Sequence, residues 1–155
     1  MTLGVMGALF GGMKLDESLD YCARLGLDCI ELPVGAFPGD PWDLAGIHTS
    51  KTKLKELKAK IADRGLEVAG VACHGNPVHP DKRKANADHK AHRSAVYLAK
   101  AFNTVVINFS GCPGGGPKDR TPNFITCPWP PEFMEMSEYQ WNEVAIPYWR
   151  NMEKF

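Results

Sequence analysis

Short continuous apolar runs alternate along the chain with longer stretches in which apolar residues recur at helical spacing. The first run, Leu3–Phe10, leads into Lys14–Gly26, where Leu15, Leu19, Cys22 and Gly26 form one stripe. Asp16 and Glu17 fall in the first turn, where negative charge is favoured, and Gly26 is placed to stop the helix. The second run, Asp28–Val34, is followed by a Pro/Gly-rich loop and then by Lys51–Arg64, with Leu54, Leu57 and Ile61 on one face and Gly65 as the stop. The third, Glu67–Cys73, passes through the loop His74–Asp81 into a helix predicted over Lys84–Asn103, striped by Ala95, Leu98, Ala99 and Phe102. The fourth is Thr104–Ser110. Ser137 and Gln140 have capping-box spacing and predict a last helix from Ser137 to Phe155, kinked at Pro147, with Trp141, Tyr148 and Trp149 in its core face.

Strands that are apolar throughout, each followed by a helix, describe a parallel sheet covered by helices. Strand starts lie 25, 39 and 37 residues apart, which suits successive right-handed βα units. The expected architecture is α/β, with four parallel strands in order 1-2-3-4. Such a sheet has two unpaired edges, and a closed eight-stranded barrel needs about 250 residues, so the 155 residues here are read as half of a barrel. The last helical pattern reaches Phe155 with no glycine stop. The expectation is therefore a chain that continues past this point, or two copies that pair edge to edge.

The connection Gly111–Met136 is out of scale: 26 residues with six prolines and no clear helix or strand. It leaves the C-terminal end of the fourth strand, where α/β proteins place ligands. Phe124, Trp129 and Phe133 argue that it is ordered, so it is read as a binding-face loop.

Apolar residues make up 44% of the chain and charged residues 23%, and eighteen basic residues balance eighteen acidic ones. There is no net field to hold nucleic acid or an anionic membrane. No stretch reads as a signal peptide or a span, so the cytoplasm is the default location. Five cysteines without CxxC spacing indicate neither a disulfide framework nor a zinc ribbon.

Polar residues at strand ends carry the candidate chemistry. Glu31 interrupts an apolar strand, and a buried carboxylate is costly unless paired or metal-bound, so it is either a salt-bridged structural residue or a contact to substrate or metal. His74 and His79 lie five apart on a proline-stiffened loop, and imidazole suits both ligand and metal contacts. Asn108 and Ser110 end the fourth strand. The glycines that follow mimic a phosphate loop, but Pro117 displaces Lys118 and no Ser or Thr follows, so the nucleotide-loop reading is rejected; a plain turn or a local oxyanion contact remains. His89 and His92 are assigned to helix packing and capping. Cys112 and Cys127 have no base or cation arranged beside them by sequence.

Several of these segments resemble the sugar phosphate isomerase/epimerase group of the xylose-isomerase-like TIM-barrel superfamily, which also holds endonuclease IV. The resemblance is carried by Leu3–Phe10, by Ile30-Glu31-Leu32-Pro33-Val34-Gly35, by Cys73–Pro77 through His79-Pro80, and by Asn108–Pro113 with Cys127–Phe133. It implies an N-terminal half of a (β/α)8 barrel, residues 1–155. In the complete enzyme a divalent metal (Mn, Mg, Co or Zn) would assist proton transfer on a sugar or sugar phosphate. The principal metal cage of the epimerase branch comes from the second half of the barrel and is not carried over. The resemblance implies substrate contacts at Glu31, His74 and Asn108, with His74 also a metal candidate, and names no catalytic residue; His79 and Trp129 join them as substrate-contact candidates from their loops. Two departures from family habit stand out: a shorter loop after the second strand, and Lys14 where a serine cap is usual. Implied partners are the sugar ligand and a missing half-barrel or second copy, with no nucleic acid or membrane. Three alternatives stay open: a non-catalytic half-barrel interaction module, an endonuclease IV-like metal hydrolase, and a flavodoxin-like domain. The last lacks a Ser/Thr-rich loop after the first strand.

Overall fold

The computed structural model describes residues 1–36 and 40–155. Part of the expected Pro/Gly-rich loop, residues 37–39, lies outside them. The chain divides into two compact units, residues 1–75 with 90–109 and residues 76–89 with 110–155.

The first unit holds a four-stranded sheet: β1 (Gly4–Met6), β2 (Cys29–Pro33), β3 (Glu67–Ala72) and β4 (Val106–Ile107). All neighbours are parallel and the order is β1-β2-β3-β4. That is the predicted order; a flavodoxin-like sheet would place its second strand outside the first. Helices α1 (Leu15–Arg24), α2 (Lys51–Ala62) and α3 (Lys82–Phe102) connect the strands, and α3 begins in the second unit.

Alternation along the strands separates two faces. Ile30, Leu32 and Val34 of the second strand segment and Val71 and Cys73 of the third are fully buried. They pack with Leu19 and Cys22 of α1, Leu57 and Ile61 of α2, and Ala95, Leu98 and Ala99 of α3. The other face carries Met6, Glu31, Gly70, Ala72 and Ile107. A register shift between Ile30 and Glu31 inserts Ala69 as an extra residue in β3 and keeps this parity aligned. Gly70 lies under the Ile107 side chain: a Cβ on it would come within 2.6 Å of the end of that side chain, which would have to turn aside.

Three successive helices end in one motif. Gly26 (φ 70°), Gly65 (φ 69°) and Asn103 (φ 54°) take the left-handed conformation. The next amide in each case reaches back five residues: Leu27 to Cys22 O, Leu66 to Ile61 O, and Thr104 to Ala99 O, at 3.1, 3.2 and 3.0 Å. Glycine is the usual residue at this position and asparagine the next. At the other end of α1, Lys14 supplies no capping side chain, but its amide donates to Glu17 Oε2 at 3.1 Å.

Two predicted strands are shorter than expected. After β1 the chain turns into a 3-10 helix, Gly7–Phe10. Beyond β4 the amide of Phe109 donates to His74 Nδ1 (3.0 Å), so the atom that would extend the ladder is taken by a side chain.

The second unit corrects the predicted last helix. It starts at Glu132, not Ser137: α4 (Glu132–Glu138) runs into a π-helical segment, Tyr139–Ala145, and then α5 (Ile146–Glu153). The expected kink takes the form of this wider segment just before Pro147, whose missing amide breaks the regular ladder. Ser137 is therefore helix interior and the capping box does not form. Gln140 is instead buried, its Nε2 donating to Asn123 O at 2.6 Å and facing Pro113 O and Gly114 O at 3.4 and 3.3 Å. The loop's order rests on this amide more than on its aromatics, since Phe124 and Trp129 are exposed. Trp141 is also 60% exposed, not core, while Tyr148 and Trp149 are half-buried.

Candidate active site

In the middle of β2, Glu31 places a carboxylate on the inner sheet face of the first unit. Its Oε1 is buried with no hydrogen-bond partner, and the carboxylate makes no ion pair among the described residues. The salt-bridged structural reading is thus not met there, and a buried acceptor is left open.

His74 shares that parity. Glu31 is level with Gly70, so His74 lies four residues further along β3, about 13 Å at strand rise. Because His74 Nδ1 accepts the Phe109 amide, the neutral ring carries its proton on Nε2. The half-buried imidazole then presents an N–H donor. A metal ligand needs a bare nitrogen, so in this arrangement His74 does not fit the metal role.

Asn108, just past β4, falls on the other parity. Its Oδ1 meets Nε2 of His92 at 2.9 Å, on the helix side, although the residue itself is exposed. Glu31, His74 and Asn108 therefore do not converge as a cluster: two share the inner face at different heights, and the third is tied to α3.

His79 and Trp129 belong to the second unit. His79 Nδ1 accepts the Asp81 amide at 2.8 Å, while Asp81 Oδ1 accepts the Arg83 amide at 2.8 Å as the cap of α3. The latter bond holds the Asp81 carboxyl below its usual range. His79 is thus part of the turn that starts the helix. Trp129 precedes a cis bond to Pro130 and is exposed, and its carbonyl accepts from Cys127 Sγ at 3.0 Å. His89 faces the Tyr148 hydroxyl at 3.0 Å.

The glycine-rich stretch resolves toward the plain-turn reading. The Gly115 amide donates to Asp119 Oδ2 at 2.8 Å, so an internal carboxylate occupies that amide. Burial pushes the Cys112 thiol up, away from thiolate chemistry. Among the described residues no group of three or more His, Cys, Asp or Glu is arranged to hold a metal. A divalent ion would find one suitable oxygen, on Glu31, and the set as it stands does not fit a complete site. Sequence reasoning missed the His92–Asn108 pair and the Gln140 anchor, since helical spacing alone marked both positions as packing or capping.

Four parallel strands in sequential order, helices on one face and polar residues toward the C-terminal strand ends define a partial (β/α)8 barrel. The chain belongs to the xylose isomerase-like TIM barrel family, which matches residues 19–146. A Bacillus subtilis (strain 168) protein named "Uncharacterized protein YfiH" is 33% identical over 162 residues, covering 99% of this chain and 50% of that protein. The chain thus spans about half the length of the curated relative it matches. The crystal structure of the probable 3-DHS dehydratase AsbF, involved in petrobactin synthesis in Bacillus anthracis, shares 18% identity at a TM-score of 0.49, over 72% of this chain and 39% of that one. Among the described residues no helix is long and apolar enough to cross a membrane.

Proposed function

We propose that this chain contributes one arc of four βα units to a barrel enzyme that isomerises or epimerises a sugar or sugar phosphate. Glu31 carries the reading. A buried carboxylate oxygen without a partner, on the inner face of a barrel-family sheet, is suited to take a ligand hydroxyl. His74 offers the complementary group, an N–H for a ligand oxygen. With about 13 Å between their levels, the two would contact different ends of one extended ligand and not the same atom. Isomerisation also needs a group that moves a proton beside the carbonyl. We assign that group, and any divalent metal, to the strands that complete the barrel, from a complementary half or a second copy.

The test is titration of the chain with D-fructose 6-phosphate, followed by NMR, together with deuterium exchange at the carbon beside the carbonyl in heavy water containing Mg²⁺. Wild type is expected to bind, Glu31→Gln to bind about tenfold more weakly, as for loss of a hydrogen bond to a charged group, and neither alone to exchange the carbon-bound proton. Exchange by the isolated chain, or equal binding by Glu31→Gln, would sink the reading.

A further inference from the structure

We infer that His92 is a positioning residue, fixing the amide of Asn108 so that the end of β4 presents N–H donors to a ligand oxygen. The inference rests on the functional reading and adds Asn108 to its ligand contacts. His92 is 2% exposed, on the same side of α3 as the buried Ala95 and Ala99. A buried imidazole there is tolerated only if hydrogen-bonded. Its Nε2 meets Asn108 Oδ1 at 2.9 Å; that oxygen has only lone pairs, so the proton lies on Nε2.

Asn108 is exposed, and water alone would accept either orientation of its amide. The contact with His92 couples that choice to the tautomer of the ring. Reversing the amide would require the proton to move from Nε2 to Nδ1, so that Nδ2–H could donate to a bare Nε2. With the proton on Nε2, Oδ1 is turned inward and both Nδ2 hydrogens remain for a ligand. On the neighbouring strand His74 is in a matching state, with Nδ1 engaged by the Phe109 amide and Nε2–H left over. Both side chains at this end of β3 and β4 have their acceptors engaged internally. Each suits an acceptor oxygen of its own, of a carbonyl, carboxylate or phosphate, since the two residues fall on opposite parities of the sheet.

The test has two arms on the full chain. Without ligand, long-range ¹H–¹⁵N correlation of the histidine rings is expected to show His92 protonated on Nε2, with contacts from that proton to Asn108. Protonation on Nδ1 alone would overturn the inference. With D-fructose 6-phosphate as probe, His92→Phe, which keeps a ring but no donor, is expected to weaken binding about fivefold, the scale of one neutral hydrogen bond. His92→Gln, which restores an N–H, is expected to bind within about twofold of wild type. Equal behaviour of the two variants, whether both weak or both intact, would overturn it. If wild type does not bind the probe, the functional reading fails and the ring-proton arm alone decides the positioning role. If His92→Phe does not fold, Asn108→Ala, at an exposed position, replaces it: the His92 Nε2–H resonance is expected to lose its hydrogen-bonded shift, and an unchanged resonance would refute the pairing.

Discussion

Single residues decide where each βα unit turns. Gly26 is instructive because a Cβ placed there would meet nothing within 4 Å, so its only constraint is its φ of 70°. Gly26→Ala is therefore expected to destabilise by about 1 kcal/mol through backbone conformation alone, read as a lower urea midpoint with unchanged slope. Gly26 and Gly65 were legible as stops because a glycine after an amphipathic stripe has few other uses. Asn103 was legible only as an end, since asparagine takes the left-handed position less often. Glu31 was legible for a similar reason: one acid in an apolar strand stands out. The partner of Asn108 was not, because the His92 contact joins the middle of α3 to the residue just past β4, sixteen positions apart, and helical periodicity assigns His92 to packing without naming what it bonds.

At the level of elements, strands and their order followed from continuous apolar runs, but lengths did not. β4 is cut to two residues by the His74 imidazole, a side-chain event that a pattern of apolar residues does not encode. The loop after it reads as helix-free up to Met136, because prolines at 130 and 131 mask a helix that starts at Glu132. Its anchor, Gln140, can be tested: Gln140→Leu keeps the volume and strips the donor from the Asn123 carbonyl, with an expected loss of roughly 1–3 kcal/mol. Faster amide exchange should concentrate in residues 113–123, and uniform loss across the chain would argue against a local anchor. Between α1 and α2, Arg64 Nε lies 2.6 Å from Asp20 Oδ1. The guanidinium's hydrogen bond holds the Asp20 carboxyl below its usual value of 3.8. A lowered folded value means that the contribution is present above the unfolded value and fades as pH falls through the folded one. Arg64→Gln should therefore narrow the difference in melting temperature between neutral pH and pH near 3, and an unchanged difference would show that the pair adds nothing. The effect is expected to be small, because both groups are solvent-accessible and salt screens them.

For the whole molecule, the inner sheet face makes the strongest demand. Met6, Ile107 and Phe109 are 44%, 38% and 76% exposed on a face that barrel relatives fill with packed side chains, and the backbone edges of β1 and β4 have no neighbouring strand among the described residues. Apolar side chains beside open ladder groups favour further strands over water. We therefore expect the chain, purified alone, to associate through this face. Ile107→Lys places a charge that would have to be desolvated on pairing, so it should shift the population toward monomer at equal concentration, by light scattering. The substitution leaves the helix-side core untouched, since Ile107 and the buried Val71 and Cys73 lie on opposite faces, so the melt of the first unit should stay cooperative. A wild-type monomer with a cooperative melt would show that the exposed inner face is tolerated in water, and would remove the physical reason for a second arc.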